Sequence, residues 1–355
     1  MATTKALVVT QEGVSAAIQD VPIPQLGELR VLVKVVAIAL NPSDWKSIDY
    51  RVADLGARVG YDYSGIVHEV GTKVTNFQKG DRIAGLVHGG DRTNHDNGSF
   101  AEVISANVAV ATHIPEAMTY EEAATLGVSM MTVGLSLYKT LRLPSPLEPV
   151  RELSNREVPI LIHAASTSTA LFGIQFAKAS GLTVIATTSP HNFDHVRMAG
   201  ADVVYDYKSP TCASDIKEYT QNRLVHAWDC MGTGTKLCAA AMSDSDTGVY
   251  VTINPVDERI LHETNPKVDG PHFVIAQDGI GDEYIWEGKR RVPGPENLSF
   301  ATEFFKLCYV LLSEGKVKPV KFVVNKTGSG LEGALKGLDE LRHGHVSGAK
   351  LVYTV

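Results

Sequence analysis

The chain has 355 residues, 44% apolar and 21% charged, which suits two ordinary hydrophobic cores and leaves no stretch that reads as disordered. A net charge of −7 gives no electrostatic support for a nucleic acid or an acidic membrane as partner. No segment is apolar for long enough to be a signal peptide or a membrane span (Val31–Leu40, the greasiest, is broken by Lys34), so a soluble, cytoplasmic protein is expected.

From the N-terminus to about residue 115 the pattern is strands and turns. Lys5–Thr10, Val31–Ala39, Gly65–Val70, Arg82–Val87 and Phe100–Ile104 read as strands, punctuated by Gly60, Gly71, Gly80-Asp81, Gly89-Gly90-Asp91 and Asn97-Gly98. Thr119-Tyr120-Glu121-Glu122 has the form of a capping box, opening a helix Glu121–Leu126, with a longer helix at Met130–Leu141. Pro144, Pro146, Pro149 and Pro159 then bracket a charged surface loop.

From Val158 the period changes to alternating strands and helices. Strands are expected at Pro159–His163, Thr183–Thr187, Asp202–Asp206, Leu224–Asp229 and Gly248–Ile253. Helices are expected at Ala170–Ser180, Asn192–Ala199, Ser214–Gln221 and Thr235–Met242. Repeated units of this kind predict a parallel sheet covered by helices on both faces. Phe304, Leu307, Cys308, Leu311 and Leu312 make one helical stripe, and a strand at Val320–Val324, a helix at Leu331–Arg342 and a strand at Lys350–Tyr353 close the chain. Cys212, Cys230, Cys238 and Cys308 have no metal-binding or disulfide spacing and read as small buried side chains.

The junction Ile160-Leu161-Ile162-His163-Ala164-Ala165-Ser166-Thr167-Ser168-Thr169-Ala170 runs from a buried strand through tiny residues into a helix. That is where a dinucleotide pyrophosphate rests on free N–H groups. The usual GxGxxG is missing; alanine and serine still admit a phosphate, and four consecutive hydroxyls can donate to it. An ordinary Ser/Thr-rich turn explains these residues equally well. At the end of the next strand, Thr187-Thr188-Ser189-Pro190-His191-Asn192 has no carboxylate to grip a ribose 2′-hydroxyl, so NADPH is favoured over NADH. Ser189 as a helix N-cap with Pro190 following is compatible with that reading.

Three further segments are specific when taken together: Asn41-Pro42-Ser43-Asp44-Trp45-Lys46, Gly60-Tyr61-Asp62-Tyr63-Ser64-Gly65, and Lys79-Gly80-Asp81-Arg82-Ile83-Ala84-Gly85. In this order the chain resembles the medium-chain dehydrogenase/reductase superfamily from end to end. The resemblance implies an α/β protein with a GroES-like β domain at 1–125, completed by about 317–355, and a Rossmann domain at 126–316. Zinc-using members carry a Cys near Asn41–Lys46 and a His-Glu pair near Asp62. Ser43, Asp44 and Tyr61-Asp62 stand there instead, so no metal is expected.

Within the superfamily, Asn41–Lys46, Ser166–Thr169, Ser189-Pro190-His191-Asn192-Phe193-Asp194, Asp206-Tyr207, Tyr250–Pro255 and Val346–Val352 are similar to fungal trans-acting enoyl reductases of the lovastatin-pathway type. Those enzymes serve highly reducing polyketide synthases whose own reductase domain is inactive. Ser168, where alanine is common, and the stretch from Asp257 to Arg291 depart from the pattern. The resemblance implies cofactor contacts from Ser43, Asp44, Trp45 and Lys46, with Ser166, Thr167, Ser168 and Thr169 on the pyrophosphate. Ser189, Pro190, His191 and Asn192 fall at the 2′-phosphate and Tyr207 at the adenine, with Ile253, Asn254, Ser347 and Gly348 toward the nicotinamide. Thr132, Val133, Gly134, Leu135, Ser136, Leu137, Tyr138 and Lys139 would line the acyl pocket, and a second lining stretch is placed at Ala276, Gln277, Asp278, Gly279 and Ile280.

Reduction of an unsaturated thioester leaves negative charge on the thioester oxygen, which needs a donor. Lys46 and Thr132 are the candidates, with Asn254 positioning cofactor or substrate and solvent protonating the α-carbon. Lys46 as a solvated surface lysine, and Thr132 as a hydroxyl bonded to its own backbone, remain open. His163 reads as a packed or hydrogen-bonded histidine.

The implied partner is an acyl chain on the carrier protein of a polyketide synthase, alone or fused to a peptide synthetase, and a monomer is expected. Two other functions stay open at this point: a quinone or enone reductase acting on small free substrates, and a non-catalytic protein that keeps an NADPH site.

Overall fold

The computed structural model describes residues 2–11, 14–150 and 157–355, and the chain divides into two compact units. The first takes Met1–Met131, Ala276–Glu314 and Pro319–Val355; the second takes Thr132–Ile275 and Gly315–Lys318. Part of the expected proline-rich loop, residues 151–156, lies outside the described residues.

The first unit begins with an antiparallel pair, β1 (Thr3–Gln11) and β2 (Ser15–Pro22). β3 (Arg30–Ala39), β4 (Asp62–Val70), β5 (Arg82–Leu86), β6 (Val103–Asn107) and β7 (Ala111–His113) follow, with a helix Pro42–Asp49 after β3. The expected strand at Phe100–Ile104 is displaced to β6. Phe100 and Ala101 join only at an isolated bridge to Ala6, because Gly98 and Ser99 turn the chain against Arg58 and Gly60. The capping box at Thr119 forms with both of its hydrogen bonds, but the helix it opens is short, Tyr120–Ala123. A second helix, Gly127–Val133, continues as a π-helix over Gly134–Thr140 instead of a regular α-helix to Leu141.

The second unit holds six parallel strands: β8 (Pro159–His163), β9 (Thr183–Thr188), β10 (Val203–Asp206), β11 (His226–Asp229), β12 (Gly248–Thr252) and β13 (Val268–Phe273). Their order, β10-β9-β8-β11-β12-β13, is the doubly wound topology predicted from the βα repeats, with the strand order switching between β8 and β11 while all strands stay parallel. The helix Ser168–Ala179 follows β8, and Gly173 lets it close on the sheet: a Cβ there would lie 2.1 Å from Trp228 Cζ3. Leu161, Ile185, Ile216, Leu224 and Tyr250 build one face of the core together with Cys212 and Cys238.

β14 (Tyr284–Trp286) and β15 (Lys289–Arg291) form a hairpin, and the helix Pro295–Ser313 buries the predicted stripe through Phe304, Cys308, Leu311 and Leu312. All four cysteines are buried thiols. β16 (Phe322–Val324) and β17 (Lys350–Thr354) return to the first unit, whose larger sheet runs β16-β17-β3-β4-β5-β7 with β6 also on β3. Residues 276–314 group with the first unit by their contacts, and 132–275 with the parallel sheet. The physical reason is local: Asn107 donates to the Ile280 carbonyl at 3.1 Å, Arg30 pairs with Asp282, and the helix Pro295–Ser313 packs on 108–113. Among the described residues no helix is long and apolar enough to cross a membrane.

Candidate active site

In the second unit the β8 strand ends at His163 and the chain turns sharply at Ala164, whose φ of 57° is left-handed. An L-residue there costs about 1–2 kcal/mol, and glycine is the usual tenant. Ala165 donates to the Thr187 carbonyl at 3.0 Å, and Thr167 caps the helix, accepting from Ala170 N–H at 3.3 Å and donating to the Ala164 carbonyl at 3.0 Å. The Thr167 hydroxyl is thus committed to the turn and is not a free donor, which narrows the predicted set of four. The N–H groups of Ser166, Ser168 and Thr169 find no acceptor among the described residues, and all three side chains are half-buried at the helix start. Free amides, two or three hydroxyls and a 12-residue helix dipole are a donor set that fits a pyrophosphate.

At the end of β9, Ser189 precedes a short 3₁₀ turn Pro190–Asn192, but its hydroxyl makes no cap; it lies 3.5 Å from the Tyr207 hydroxyl. Pro190 and His191 are exposed and Asn192 half-buried. Tyr207 is 38% exposed and meets His163 edge-on at 5.9 Å, and Lys208 Nζ sits 5.8 Å over the Tyr207 ring. No carboxylate stands in residues 187–192. His163 Nδ1 is 2.8 Å from Thr187 Oγ1, and burial lowers its pKa; it is a packed, hydrogen-bonded histidine.

Asp229, at the end of β11, organises the facing loop. It is fully buried and accepts from the N–H groups of Met231 (2.9 Å), Gly232 (2.7 Å) and Gly234 (2.6 Å) and from the Tyr250 hydroxyl (2.9 Å). Asn254 donates its amide to the Met231 carbonyl at 2.9 Å, so it holds this loop, and the adjacent Ile253 is half-buried. Thr132, Val133, Gly134, Leu135, Ser136 and Leu137 are all buried. Tyr138 anchors the end of the π-helix through its hydroxyl, 3.0 Å from Ser180 Oγ, and Lys139 is half-buried.

The first unit carries a separate buried polar cluster. Asn41 starts the helix Pro42–Asp49 and donates its backbone N–H to Asp44 Oδ2 at 2.6 Å and its amide to Asp62 Oδ2 at 2.9 Å. Asp62 also accepts from Lys350 Nζ and, at 2.6 Å, from Val128 N–H. Asp44 is fully buried and its Oδ1 has no partner; burial, with the Asp62 carboxylate beside it, pushes its pKa well above the ordinary range. Ser43 is half-buried. Lys46 lies with its Nζ 5.8 Å from the Trp45 ring centroid, and Arg342 stands 5.9 Å from the same ring. Ser347 is exposed and Gly348 takes a φ of 61°.

The stretch Ala276–Gly279 is a 3₁₀ turn tied to the residue before β4: Gln277 Nε2 donates to the Tyr61 hydroxyl at 3.0 Å, and Asp278 accepts from Tyr284 at 2.7 Å. Gly279 lies against Met131, where a Cβ would meet Sδ at 2.2 Å, and Ile280 is buried. Sequence reasoning noticed Tyr61 only as a missing metal ligand and did not single out His88, Tyr284, Asp229 or Lys350. Tyr61-Asp62, inside a glycine-flanked motif, was the one available signal. Among the described residues no group of three or more His, Cys, Asp or Glu would hold a metal ion.

Family models match at both units: the alcohol dehydrogenase GroES-like domain over residues 27–116 and the zinc-binding dehydrogenase model over 169–269. A trans-enoyl reductase of Alternaria alternata is 35% identical over 358 residues, covering 100% of both chains. One from Cochliobolus carbonum is 43% identical over 303 residues, covering 84% of this chain and 98% of its own.

The chain belongs to the trans-enoyl reductases.

As a trans-enoyl reductase it is an oxidoreductase acting on a carbon–carbon double bond, built on the medium-chain dehydrogenase/reductase architecture. Solved structures agree on the fold. The CurK enoyl reductase superposes with a TM-score of 0.76 at 19% identity over 99% of each chain. Escherichia coli quinone oxidoreductase complexed with NADPH gives 0.73 at 19% identity, over 99% of this chain and 100% of its own.

Proposed function

We propose that this trans-enoyl reductase uses NADPH to reduce an α,β-unsaturated acyl thioester carried on the acyl carrier of a partner polyketide synthase, acting as a cytoplasmic monomer. The observation that carries the reading is the full-length likeness to trans-enoyl reductases; the glycine-free turn, with its free amides and no carboxylate at the end of β9, supports the choice of NADPH.

In this reading the parallel-sheet unit binds the cofactor. Ser166, Ser168 and Thr169 hold the pyrophosphate, while Ser189, Pro190, His191 and Asn192 receive the 2′-phosphate beside Tyr207. When bound, the cofactor supplies hydride to the β-carbon of the substrate. Lys46, steadied on Trp45, and Thr132 are the proposed donors to the thioester oxygen. Asn254 acts through the 229–234 loop that its amide holds. Ser43, Asp44, Trp45, Ile253, Ser347 and Gly348 are proposed cofactor neighbours, and Thr132–Lys139 with Ala276–Ile280 the acyl-lining stretches.

The test is turnover of NADPH with an enoyl-pantetheine thioester beside turnover with a simple quinone. Faster reduction of the thioester supports the proposal. Equal or faster turnover of the quinone replaces it with a quinone reductase, and NADPH binding without oxidation in either assay replaces it with a non-catalytic binder.

A further inference from the structure

Among the described residues the Tyr61 hydroxyl donates to no acceptor. Its oxygen accepts from Gln277 Nε2 at 3.0 Å, and both residues are buried, Tyr61 at 4% and Gln277 at 9% exposure. With that lone pair engaged by a donor, the phenol hydrogen points elsewhere, and no acceptor receives it among the described residues. An unmet buried donor is unfavourable and calls for an explanation, and an acceptor atom on a bound ligand is one that gives the donor a catalytic use. Burial, with the Asp44 carboxyl nearby, pushes the phenol pKa up, so the group keeps its proton at neutral pH.

The ring is also held in place. Tyr61 packs against His88 at 5.9 Å, His88 meets Tyr284 edge-on at 5.5 Å, and the Tyr284 hydroxyl donates to Asp278, the neighbour of Gln277 in sequence. The 276–279 turn is therefore pinned at two adjacent residues, and it belongs to the stretch proposed above to line the acyl chain. A pinned donor aimed at a ligand is the arrangement that electrostatic stabilisation of a developing oxyanion requires.

We propose that Tyr61 donates a hydrogen bond to the thioester oxygen of the unsaturated substrate and that Gln277 is the positioning residue that aims it. The inference rests on the reading of this chain as an enoyl-thioester reductase. As the β-carbon takes hydride, the π electrons move toward the α-carbon and the thioester oxygen, and the enolate oxygen is held by the Tyr61 O–H. No proton leaves the phenol; water protonates the α-carbon, NADPH ends oxidised and the acyl chain reduced.

The experiment compares wild type, Tyr61→Phe, Gln277→Met and Gln277→Glu with NADPH and crotonyl-pantetheine at pH 8, with NADPH titration and thermal midpoint measured on each. Tyr61→Phe should lose about 100-fold in kcat, with KM and NADPH affinity near wild type. Gln277→Glu turns the aiming group from donor to acceptor, draws the phenol hydrogen inward and should match Tyr61→Phe. Gln277→Met, which neither donates nor accepts in this way, should lose only about 10-fold. Undiminished kcat in Tyr61→Phe, or Gln277→Glu as active as Gln277→Met, overturns the inference while the reductase reading stands. Absence of wild-type turnover overturns both. If Tyr61→Phe fails to fold, the contrast between the two Gln277 variants decides alone.

Discussion

Lys350 and Asp62 form an ion pair sealed from solvent, 3% and 0% exposed, in which the first residue of the last strand clamps the first residue of β4. The same carboxylate receives the Asn41 amide and the Val128 N–H, so one anion gathers three elements of the first unit. Removing one partner of such a pair leaves a buried charge uncompensated, at a cost of about 3–5 kcal/mol. Lys350→Met should therefore lower the urea midpoint steeply, and the double variant Lys350→Met/Asp62→Asn should recover part of the loss. A single variant as stable as wild type would show the pair to be dispensable.

Gly173 is required by contact: a Cβ would stand 2.1 Å from Trp228 Cζ3. Gly173→Ala should destabilise the protein by about 1–3 kcal/mol through overpacking. Because the clash is with one ring, Trp228→Phe in the same chain should relieve part of it, giving a non-additive cycle in chemical denaturation. Additive losses would mean that the helix Ser168–Ala179 shifts freely off the sheet.

Asp44 gives a pH dependence with a definite sign. Its folded pKa is raised, chiefly by burial, so the folded chain keeps a proton that the unfolded chain releases above about pH 4. The unfolded state then binds fewer protons, and this group's contribution to stability falls as pH rises. Asp44→Asn carries no such penalty and can still accept from Asn41 N–H. The difference in thermal midpoint between Asp44→Asn and wild type should grow in favour of the variant as pH rises above about 4. Parallel curves for the two proteins would show that Asp44 titrates alike in both states.

In the proposed reading Ser189 lies beside the 2′-phosphate, where a carboxylate would repel it. Ser189→Asp should weaken NADPH binding at least about 10-fold, by placing like charge near the 2′-phosphate, and leave NADH binding little changed. Fluorescence titration with the two nucleotides measures the ratio directly; an unchanged ratio would move the 2′-phosphate away from the end of β9.

The parallel-sheet unit was the more legible half of the chain. Its buried strands are short apolar runs and its turns are marked by small residues, so Pro159–His163 and the turn through Ala164–Thr167 could be read locally. The strand at β6 was misplaced because Phe100 and Ala101 carry the right side chains but are bent by the turn before them. The π-helix after Val133 left no trace, since its hydrogen-bond shift changes no periodicity visible over seven residues. The Tyr61–Gln277 and Asp62–Lys350 contacts could not be read at all, because each joins residues far apart in the chain that meet only in the folded first unit.

We propose that a turn of alanine and hydroxyl residues does the work of a glycine-rich one here and prefers a phosphorylated ribose. Calorimetric titration of the purified protein with NADPH and with NADH tests it most directly. NADPH should bind saturably at 1:1, tighter than NADH by at least about 10-fold. No heat with NADPH, or NADH bound equally well, would contradict it.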